Sequence, residues 1–286
     1  MKPMNLATAG LAAGFLLTGL TTTALAGPGS AFVNVAHLAP FADTVPATEV
    51  SVDVDGSEAV PSLFFNQSTG YVELSPAQEG SNGDFSIDVD VIAPPTTGTA
   101  VISGTFDLEF GREYTIAAIG NGTLQPLGAL FLEDDQEMPL GSTGALLRIV
   151  HAAPFASVLA DTEVSIRLQD GTVVAGLTNV PYGADSGFLS LPAGTYDLQV
   201  ATPDGTTTLI DPLPVDLADG DMFTVYAVGD IINQPLGITL QSPDGSFTPL
   251  PLAERLPEFQ TVPTLGFYGM LLMAILLGFV AIRRLA

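Results

Sequence analysis

The residues that could do chemistry are a histidine, a glutamate and a serine that occur twice at the same spacing. They are His37, Glu49 and Ser51 in the first half of the chain, and His151, Glu163 and Ser165 in the second. These are the kinds of groups from which hydrolases build a nucleophilic site. Ser51, however, stands two residues from Glu49 in an alternating, strand-like segment, which offers a nucleophile neither a sharp turn nor oxyanion donors. A hydrolase using His, Glu and Ser is therefore the lowest ranked of three functions, and no catalytic residue is assigned.

Each histidine opens the same short motif. His37-Leu38-Ala39-Pro40-Phe41-Ala42 corresponds to His151-Ala152-Ala153-Pro154-Phe155-Ala156. A single histidine that follows a strand and precedes Ala-x-Pro has backbone groups of its own turn within reach as hydrogen-bond partners. We therefore interpret six residues as the structural signature of a repeat: His37, Pro40 and Glu49, with His151, Pro154 and Glu163.

Two pairs of aspartates are the candidate metal ligands. Asp53 and Asp55 share one face of a predicted strand, as do Asp88 and Asp90. Calcium prefers such oxygen ligands. The second half, however, has an arginine and a glutamine where the first has Asp53 and Asp55, and the segment lacks the distal glutamate of a helix-loop-helix calcium site. A solvated strand face is the favoured interpretation, a calcium-dependent structural or binding module is the alternative function, and no cofactor is assigned.

The histidine motif belongs to a repeat that runs through most of the chain. Thr48 to Ser51 matches Thr162 to Ser165 at an offset of 114 residues, and Gln125 to Gly128 matches Gln234 to Gly237 further on. Repeats of this length are domains rather than units of a solenoid. The predicted organisation is a signal peptide (1–26), a first repeat (31–133), an acidic linker (134–144), a second repeat (145–250), a spacer (251–261) and a terminal anchor (262–286).

Within each repeat the apolar residues alternate with polar ones. Val50, Val52 and Val54 alternate with acids and a serine, and similar runs occur at 86–91, 114–119, 194–200 and 223–228. A period of two places one face of a strand in a core and the other in water. Several short strands separated by Gly, Pro, Asp and Asn predict an all-β fold of two tandem antiparallel sandwiches.

The second repeat contains three recognisable segments: Ile149 to Pro154, the strand that closes on Asp170-Gly171, and Leu191-Pro192-Ala193-Gly194-Thr195-Tyr196. In these segments it resembles a bacterial extracytoplasmic family of tandem domains, the domain of unknown function 4397 family. The first repeat matches less well, because residues 78–84 interrupt the corresponding centre. The resemblance implies an immunoglobulin-like or related β-sandwich, and it implies no particular chemistry.

The first 26 residues are typical of a secretory signal peptide. Lys2 precedes an apolar stretch from Leu6 to Leu20, and the segment ends in Ala24-Leu25-Ala26. Small residues at these last positions are what signal peptidase accepts. We predict cleavage after Ala26 and export of the chain.

The other end predicts a membrane anchor. Residues 265–282 carry no charge and precede Arg283 and Arg284. As a helix these residues would span about 27 Å, close to the hydrocarbon thickness of a bilayer. The two arginines belong on the cytoplasmic side, so the bulk of the chain lies outside the cytoplasm on a single-pass inner-membrane helix.

The anchor begins with a short motif that consists of Val262, Pro263, Thr264, Leu265, Tyr268 and Gly269. With Val in place of Ile and Tyr in place of Trp, this motif resembles a C-terminal sorting signal of the Ile-Pro-Thr-Leu-x-x-Trp-Gly type, which is related to the signals read by exosortases. The resemblance implies a Gram-negative host and an exosortase-like enzyme that cuts the chain and passes it to the surface or extracellular matrix. Without such processing the protein stays tethered.

The excess of acidic over basic residues limits the classes of partner that the chain could bind. Four arginines oppose 31 Asp and Glu between residues 27 and 260, and the chain has no Cys. Nucleic acid is excluded as a partner because phosphates require clustered Lys and Arg, and the lack of Cys excludes thiol catalysis and disulfides. The favoured function is a non-catalytic, surface-displayed tandem β-protein in adhesion, envelope or extracellular-matrix interaction, with a polysaccharide or protein ligand.

Overall fold

The computed structural model describes residues 29–75, 84–135, 143–174 and 176–253. These residues form eighteen β-strands and three short 3₁₀ turns, Val45–Thr48, Pro95–Thr97 and Leu159–Thr162, and they include no α-helix. No helix in this part of the chain is long and apolar enough to cross a membrane. The predicted signal peptide, most of the linker, the sorting motif and the transmembrane helix lie outside the described residues.

The first half contains eight strands in two sheets. They are β1 (Ala31–His37), β2 (Val50–Val54), β3 (Ser57–Leu63), β4 (Gln67–Leu74), β5 (Asp84–Ile92), β6 (Ala100–Glu109), β7 (Glu113–Ile119) and β8 (Gly128–Glu133). One sheet has the order β4-β1-β7-β8 and the other β3-β2-β5-β6. Apolar alternation explains why they form, since Ile87, Val89 and Val91 of β5 are buried while Asp88 between them is exposed.

The two sheets of the first half pack face to face around one core. The core joins Val33 of β1 and Ile116 of β7 to Val52 of β2 and Val89 of β5. Each of these side chains is at most 3% exposed. The predicted two-layer arrangement of strands is therefore present in this half.

Two details of the predicted sandwich are corrected by the strand pairing. β1 and β7 run parallel, from Phe32 beside Glu113 to His37 beside Ala118, so the sheet is mixed rather than wholly antiparallel. An immunoglobulin domain places its first two strands in one sheet, whereas β1 and β2 lie in different sheets. Alternation along a strand fixes which side chains face the core, but it does not fix the neighbouring strand or its direction.

The second half repeats this plan with a less regular second layer. Its strands are β9 (Ala145–His151), β10 (Ser165–Leu168), β11 (Asp185–Leu191), β12 (Gly194–Tyr196), β13 (Leu198–Ala201), β14 (Thr208–Ile210), β15 (Val215–Leu217), β16 (Met222–Val228), β17 (Gly237–Gln241) and β18 (Phe247–Leu250). The large sheet has the order β11-β9-β16-β17-β18, and β9 and β16 are again parallel. Two small sheets, β10-β13-β14 and β12-β15, replace the single second sheet of the first half.

The split in the second layer has a local cause. The strand predicted over 194–200 is interrupted at Asp197, and the strand beside it is interrupted between Ile210 and Val215. That second break contains Pro212 and Pro214, which have no backbone N–H to donate to a ladder. The layer therefore cannot continue as one sheet through this region.

A third core joins the two halves. It contains Ala117 and Leu132 from the first half and Val150, Tyr226 and Val228 from the second. These residues lie on the faces of the two large sheets that point away from the cores of the individual halves. Each large sheet is thus buried on both faces, which explains why all seven residues of β9 are buried.

Candidate functional site

Both signature histidines are held inside the protein by backbone hydrogen bonds. His37 is the last residue of β1, and its Nε2 lies 2.8 Å from the carbonyl oxygen of Thr48, while Nδ1 accepts the N–H of Ala39 at 3.3 Å. His151 has the same arrangement, with 2.6 Å from Nε2 to the Thr162 oxygen. Both ring nitrogens are therefore in use, and each histidine fastens the loop that follows its strand to the 3₁₀ turn beyond it.

The surroundings of the two imidazoles favour the neutral form. Each ring is 1% exposed, and burial lowers the pKa of both His37 and His151 to about 4 despite the hydrogen bonds from their rings to the backbone. The rings stack on Phe41 and Phe155 at centroid distances of 5.6 and 5.8 Å. A neutral ring with both nitrogens occupied and no open side is poorly suited to transfer protons to a substrate.

The glutamates and serines of the repeat have other partners. Glu49 accepts a hydrogen bond from Ser62 at 2.7 Å on the surface. Ser165 donates to the carbonyl oxygen of Thr202 at 2.8 Å and accepts from Arg167. Among the described residues, neither imidazole is hydrogen-bonded to a serine or glutamate side chain. The structure therefore does not assemble the His, Glu and Ser residues into a catalytic group.

Of the four aspartates considered as calcium ligands, Asp53 lies on β2 and Asp88 and Asp90 lie on the neighbouring β5. Asp55 lies in the turn after β2 with a φ of 51°, so Asp53 and Asp55 do not share a strand face as predicted. Asp53 stands opposite Asp90. Asp55 accepts the backbone N–H of Asp88 at 2.9 Å, and Asp88 accepts the hydroxyl of Thr105 at 2.6 Å. Within the described ranges, no three histidine or acidic side chains form a group that could hold a metal ion. The carboxylates of Asp55 and Asp88 act here as acceptors for neighbouring protein groups.

The arrangement that the repeat does build is a contact between the two halves. The loop from β7 to β8 and the loop from β16 to β17 meet, with Asn121 donating to Asp230 at 2.8 Å. Gln125 of the first loop donates to the carbonyl oxygen of Ala156, which lies in the histidine motif of the second half, at 2.8 Å. Gln234 donates to the equivalent oxygen of Ala42 in the first half at the same distance. The two hydrogen bonds are reciprocal, so the loop of each half binds the histidine motif of the other half.

These two loops share an internal structure that explains their sequence. The side chain of Asn121 accepts three successive backbone N–H groups, those of residues 123 to 125, and Asp230 does the same for residues 232 to 234. A Cβ on Gly120 or on Gly229 would lie 2.0 Å from the carbonyl oxygen of the proline that follows Gln125 or Gln234. Only glycine fits at either position, since both also have a positive φ.

The electrostatics of the contact depend on Asp230. This side chain is fully buried at the junction. Burial acts to raise the pKa of Asp230, but hydrogen bonds from Asn121, Gln234 and Asn233 more than offset it and hold the pKa below its usual range. The carboxylate is therefore ionised at neutral pH and serves as a charged acceptor, which strengthens its hydrogen bonds.

A second polar contact lies at the centre of the junction and includes a buried ion pair. Arg148 of β9 pairs with Asp134, which follows β8, and their side chains are 3% and 4% exposed. Arg148 also donates to the hydroxyl of Thr224 at 3.1 Å and to the carbonyl oxygen of Glu133 at 2.8 Å. The guanidinium lies over the ring of Phe188, 4.6 Å from its centroid. A buried guanidinium requires such partners, and this one has them on both halves.

The carboxylate of Asp134 is equally well surrounded. It accepts the hydroxyls of Tyr71 at 2.8 Å and Thr115 at 2.5 Å. Burial and the charge of Asp134 raise the pKa of Tyr71, so this hydroxyl stays protonated and donates. Gln241 of the second half donates to Thr115 at 2.9 Å and accepts from the fully buried Tyr226 at 2.6 Å. The polar network thus crosses between the halves more than once.

Sequence reasoning did not identify this junction. Asp134 is the first residue of the predicted acidic linker, and Arg148 enters the sequence analysis only as one of the four arginines between residues 27 and 260. A signal for Arg148 does exist, because it is the one charged residue in the apolar run from Ala145 to Val150. The Gln-Pro-Leu-Gly repeat was recognised, but one sequence does not show that each copy reaches across to the other half.

Comparisons with known proteins identify the family of this chain. A search of curated proteins found no match. A solved structure of a fimbrial assembly protein from Parabacteroides distasonis is similar at 10% sequence identity and a TM-score of 0.18, covering 77% of this chain and 98% of that one. A TM-score this low carries no inference about this chain. The model of the family described as "Domain of unknown function (DUF4397)" matches residues 31–160 and 158–248. With two matches that together cover most of its length, the chain belongs to the DUF4397 family.

Proposed function

We propose that this chain is a non-catalytic, exported protein that displays two rigidly joined β domains at the bacterial surface, in adhesion, envelope or extracellular-matrix interaction. The observation that carries this proposal is the use of the repeated signature residues. The histidine motifs and the Gln-Pro-Leu-Gly loops fasten their own loops and bind the opposite half. Residues used in this way maintain a shape, which is what a binding or spacer protein needs.

The chemistry of the buried groups supports a non-catalytic role. Catalytic acids and bases need open access to a substrate and a pKa near the working pH. His37 and His151 are each 1% exposed, and burial lowers their pKa to about 4. The buried Asp134 and Arg148 neutralise each other within the junction. Each of these groups has a structural partner that explains its presence.

Export and anchorage are proposed from the two ends of the sequence. The layout of residues 1–26 supports removal by signal peptidase after Ala26. The apolar segment 265–282, followed by Arg283 and Arg284, supports a single inner-membrane helix with the bulk outside the cytoplasm. The residues Val262 to Gly269 support processing by an exosortase-like enzyme and transfer to the surface.

The ligand class follows from the surface charge. The exported part carries 31 acids against four arginines, and three of these, Arg112, Arg148 and Arg167, bond to groups of the protein itself. An exterior of this kind repels nucleic acid and other polyanions. We therefore propose a neutral or cationic polysaccharide or protein surface as the ligand. Two domains held at a fixed spacing can bind a repetitive surface with avidity.

Fractionation of the host with intact-mass measurement tests the export proposal. Loss of residues 1–26 and of the segment after about Val262, with the product at the cell surface or in the medium, would support both export and sorting. A variant carrying Pro263→Ala and Thr264→Ala alters the motif but keeps the apolar segment, so it should remain full-length in the inner membrane. Recovery of the uncut wild-type chain in the cytoplasm would contradict the proposal.

A deletion strain tests the role at the surface. Loss of attachment or of matrix cohesion should be restored by the wild-type gene, and equally by a gene carrying both His37→Gln and His151→Gln if its product is folded and displayed. An enzyme that uses these histidines would lose its activity in that variant. Turnover of a substrate by the wild-type protein that the folded double variant has lost would refute the non-catalytic proposal.

A further inference from the structure

β6 lies at the edge of its sheet, and its free side carries unpaired backbone groups. In the described residues it is the longest strand, Ala100–Glu109, and it pairs only with β5. Glu109 shows which residues face away from β5. Its N–H donates to the hydroxyl of Tyr114 at 3.1 Å, and its carbonyl oxygen accepts the N–H of Arg112 at 3.3 Å. Both partners lie outside β5, so the backbone of Glu109 points away from that strand.

The regular pairing of β5 with β6 extends this assignment along the strand. In an antiparallel pair the N–H and C=O of one residue point the same way, and the direction alternates from residue to residue. The register is unbroken over this part of β6, so Asp107, Thr105 and Ser103 also face away from β5. Asp88, opposite Thr105, agrees with this, because its backbone N–H and carbonyl oxygen both bond to Asp55 on the side of β2.

The backbone N–H groups and carbonyl oxygens of Ser103, Thr105 and Asp107 therefore point out from the free edge. In the part of the chain that the structure describes, no other strand or side chain is bonded to them. The three residues are exposed. A row of unpaired groups at an accessible edge is a template for a further strand.

Several other edges of the molecule are protected against such pairing. β3 contains Pro61 and β18 contains Pro249, and a proline cannot donate to a ladder. The edge of β4 is covered by the turn before β18, where the carbonyl oxygen of Gly245 accepts the hydroxyl of Ser68 at 2.8 Å. β6 contains neither proline nor lysine, the residues that commonly block an edge. Its edge is therefore left open where others are closed.

The side chains on the outer face of β6 indicate which strand fits there. Thr105 donates to Asp88 of β5 at 2.6 Å. Ser86 of β5 donates to Asp107 at the same distance. Hydroxyls and carboxylates thus bond across neighbouring strands on this face, and β6 itself carries both, with Ser103 and Asp107 equally far from Thr105. A second β6, running antiparallel and centred on Thr105, would place Ser103 of one molecule opposite Asp107 of the other.

We propose that β6 is the contact between two molecules of this protein, which pair about a twofold axis at Thr105 and form one continuous eight-stranded sheet. The free groups then make six hydrogen bonds, two between the Thr105 residues and two at each pairing of Ser103 with Asp107. On the inner face Gly104 lies opposite Phe106 of the second molecule, so the large ring faces a residue without a side chain. Because β3 at the far edge contains a proline, the sheet ends there and the dimer is closed.

The negative charge of the chain is spread out in this register. The Asp107 residues of the two molecules lie four positions apart along the strands, which separates them by about 14 Å. The Asp88 residues are three strand spacings apart, also about 14 Å. Both distances exceed the Debye length of about 8 Å at physiological salt, so repulsion acts mainly at low salt. The dissociation constant of the dimer should therefore fall at least threefold from about 0.05 to about 0.5 M NaCl.

Disulfide formation between full chains in detergent micelles tests the register. The chain has no Cys, so one substitution supplies its only thiol. In Thr105→Cys the two thiols stand opposite each other with Cα atoms about 5.5 Å apart, and mild oxidation should give a covalent dimer. Ser103→Cys is the matched control on the same strand face, since its Cα atoms lie about 14 Å apart, beyond the reach of a disulfide. Equal cross-linking of the two variants, or none in Thr105→Cys, would overturn the proposal.

Sedimentation in the same micelles measures the affinity. Thr105→Pro removes an N–H that the β5 ladder does not use, so the fold is kept while two of the six intermolecular hydrogen bonds are lost. The dissociation constant should rise at least tenfold. Thr105→Val loses the same hydroxyl but keeps the N–H, and its dissociation constant should stay within about threefold of the wild type.

Two sedimentation results would refute the β6 contact. One is a wild type that remains monomeric at every salt concentration. The other is unchanged affinity in a folded Thr105→Pro variant, which would place the contact elsewhere, for example in the apolar C-terminal segment. If Thr105→Pro does not fold, the comparison of Thr105→Cys with Ser103→Cys decides the matter, because neither of these substitutions alters the backbone.

Discussion

Acidification should destabilise the protein through its two buried histidines. In the unfolded chain a histidine has a pKa near 6.5, whereas burial lowers the pKa of His37 and His151 to about 4 in the folded state. Between these values the unfolded chain binds more protons than the folded one, so the free energy of unfolding falls as the pH falls. From pH 8 to pH 5 the expected loss is about 2 kcal/mol for each histidine, or about 4 kcal/mol for both.

Urea unfolding at pH 8, 7, 6 and 5 and constant ionic strength measures this loss. Protonation of Glu113 and Asp135 has the opposite effect on the free energy of unfolding, because burial raises the pKa of both carboxyl groups in the folded state. The comparison is therefore between the wild type and a variant with His37→Gln and His151→Gln. The variant is less stable at pH 8, but the gap should narrow by about 4 kcal/mol on reaching pH 5.

A constant gap between wild type and variant from pH 8 to pH 5 would refute the reasoning, because it would mean that the imidazoles titrate alike in the folded and unfolded states. The imidazole proton resonances give an independent measurement when the double variant does not fold. They should show no titration between pH 8 and pH 5, and a midpoint near 6.5 in the folded protein would contradict the buried, neutral assignment.

Three further predictions concern the junction and its loops. Arg148→Leu leaves a carboxylate buried without its partner and should lower the free energy of unfolding by about 3 to 5 kcal/mol in urea unfolding, whereas a loss below about 1 kcal/mol would show that the ion pair is solvated. Ile231 has a φ of 60° where the first half has a glycine, so Ile231→Asn should raise the free energy of unfolding by about 0.5 to 1 kcal/mol. Ile232→Asn is the control, because Ile232 is similarly exposed but has no positive φ, and it should change the free energy of unfolding little. Gly229→Ala should lower the melting temperature more than Gly220→Ala, because both glycines have a positive φ but only a Cβ at position 229 would clash with the backbone. Equal decreases in melting temperature would exclude the clash.

The strands were the most predictable part of the molecule. The alternation of Val50, Val52 and Val54 predicts β2, and the run at 86–91 predicts most of β5, because a half-buried strand imposes a period of two. The run at 194–200 does not predict the interruption at Asp197. This interruption depends on the neighbouring segment of the same sheet layer, where Pro212 and Pro214 prevent a continuous ladder.

The parallel pairing of β1 with β7 could not be predicted from local sequence. The two strands are separated by five others, and their pairing is decided by the packing of whole sheets. The alternation of apolar residues along β1 is the same whichever strand lies beside it and whether that strand runs parallel or antiparallel. The immunoglobulin-like topology came from the family resemblance rather than from residues, and it was wrong in the placement of β1 and β2.

The candidate site was predictable only in part. The repeat identifies His37 and His151 as equivalent, and hydrogen bonding to nearby backbone groups is the interpretation that the sequence favours. It also identified the Gln-Pro-Leu-Gly segments. Their contact across the two halves could not be inferred, because a repeat fixes the fold of each copy and leaves the relation between copies open. Asp134 lies beyond the end of β8, and its carboxylate has partners on both halves, Tyr71 and Thr115 on the first and Arg148 on the second, so its burial depends on how the halves meet.

The distance between the two halves tests the central claim most directly, namely that the repeated motifs join the halves into one rigid unit. Because the chain has no Cys, spin labels can be attached through Glu58→Cys and Thr206→Cys, at exposed positions of the first and second half. Pulsed electron paramagnetic resonance on the full chain in nanodiscs should give a single narrow distance distribution. A broad distribution, or two well-separated distances, would show that the halves move independently and would contradict the account.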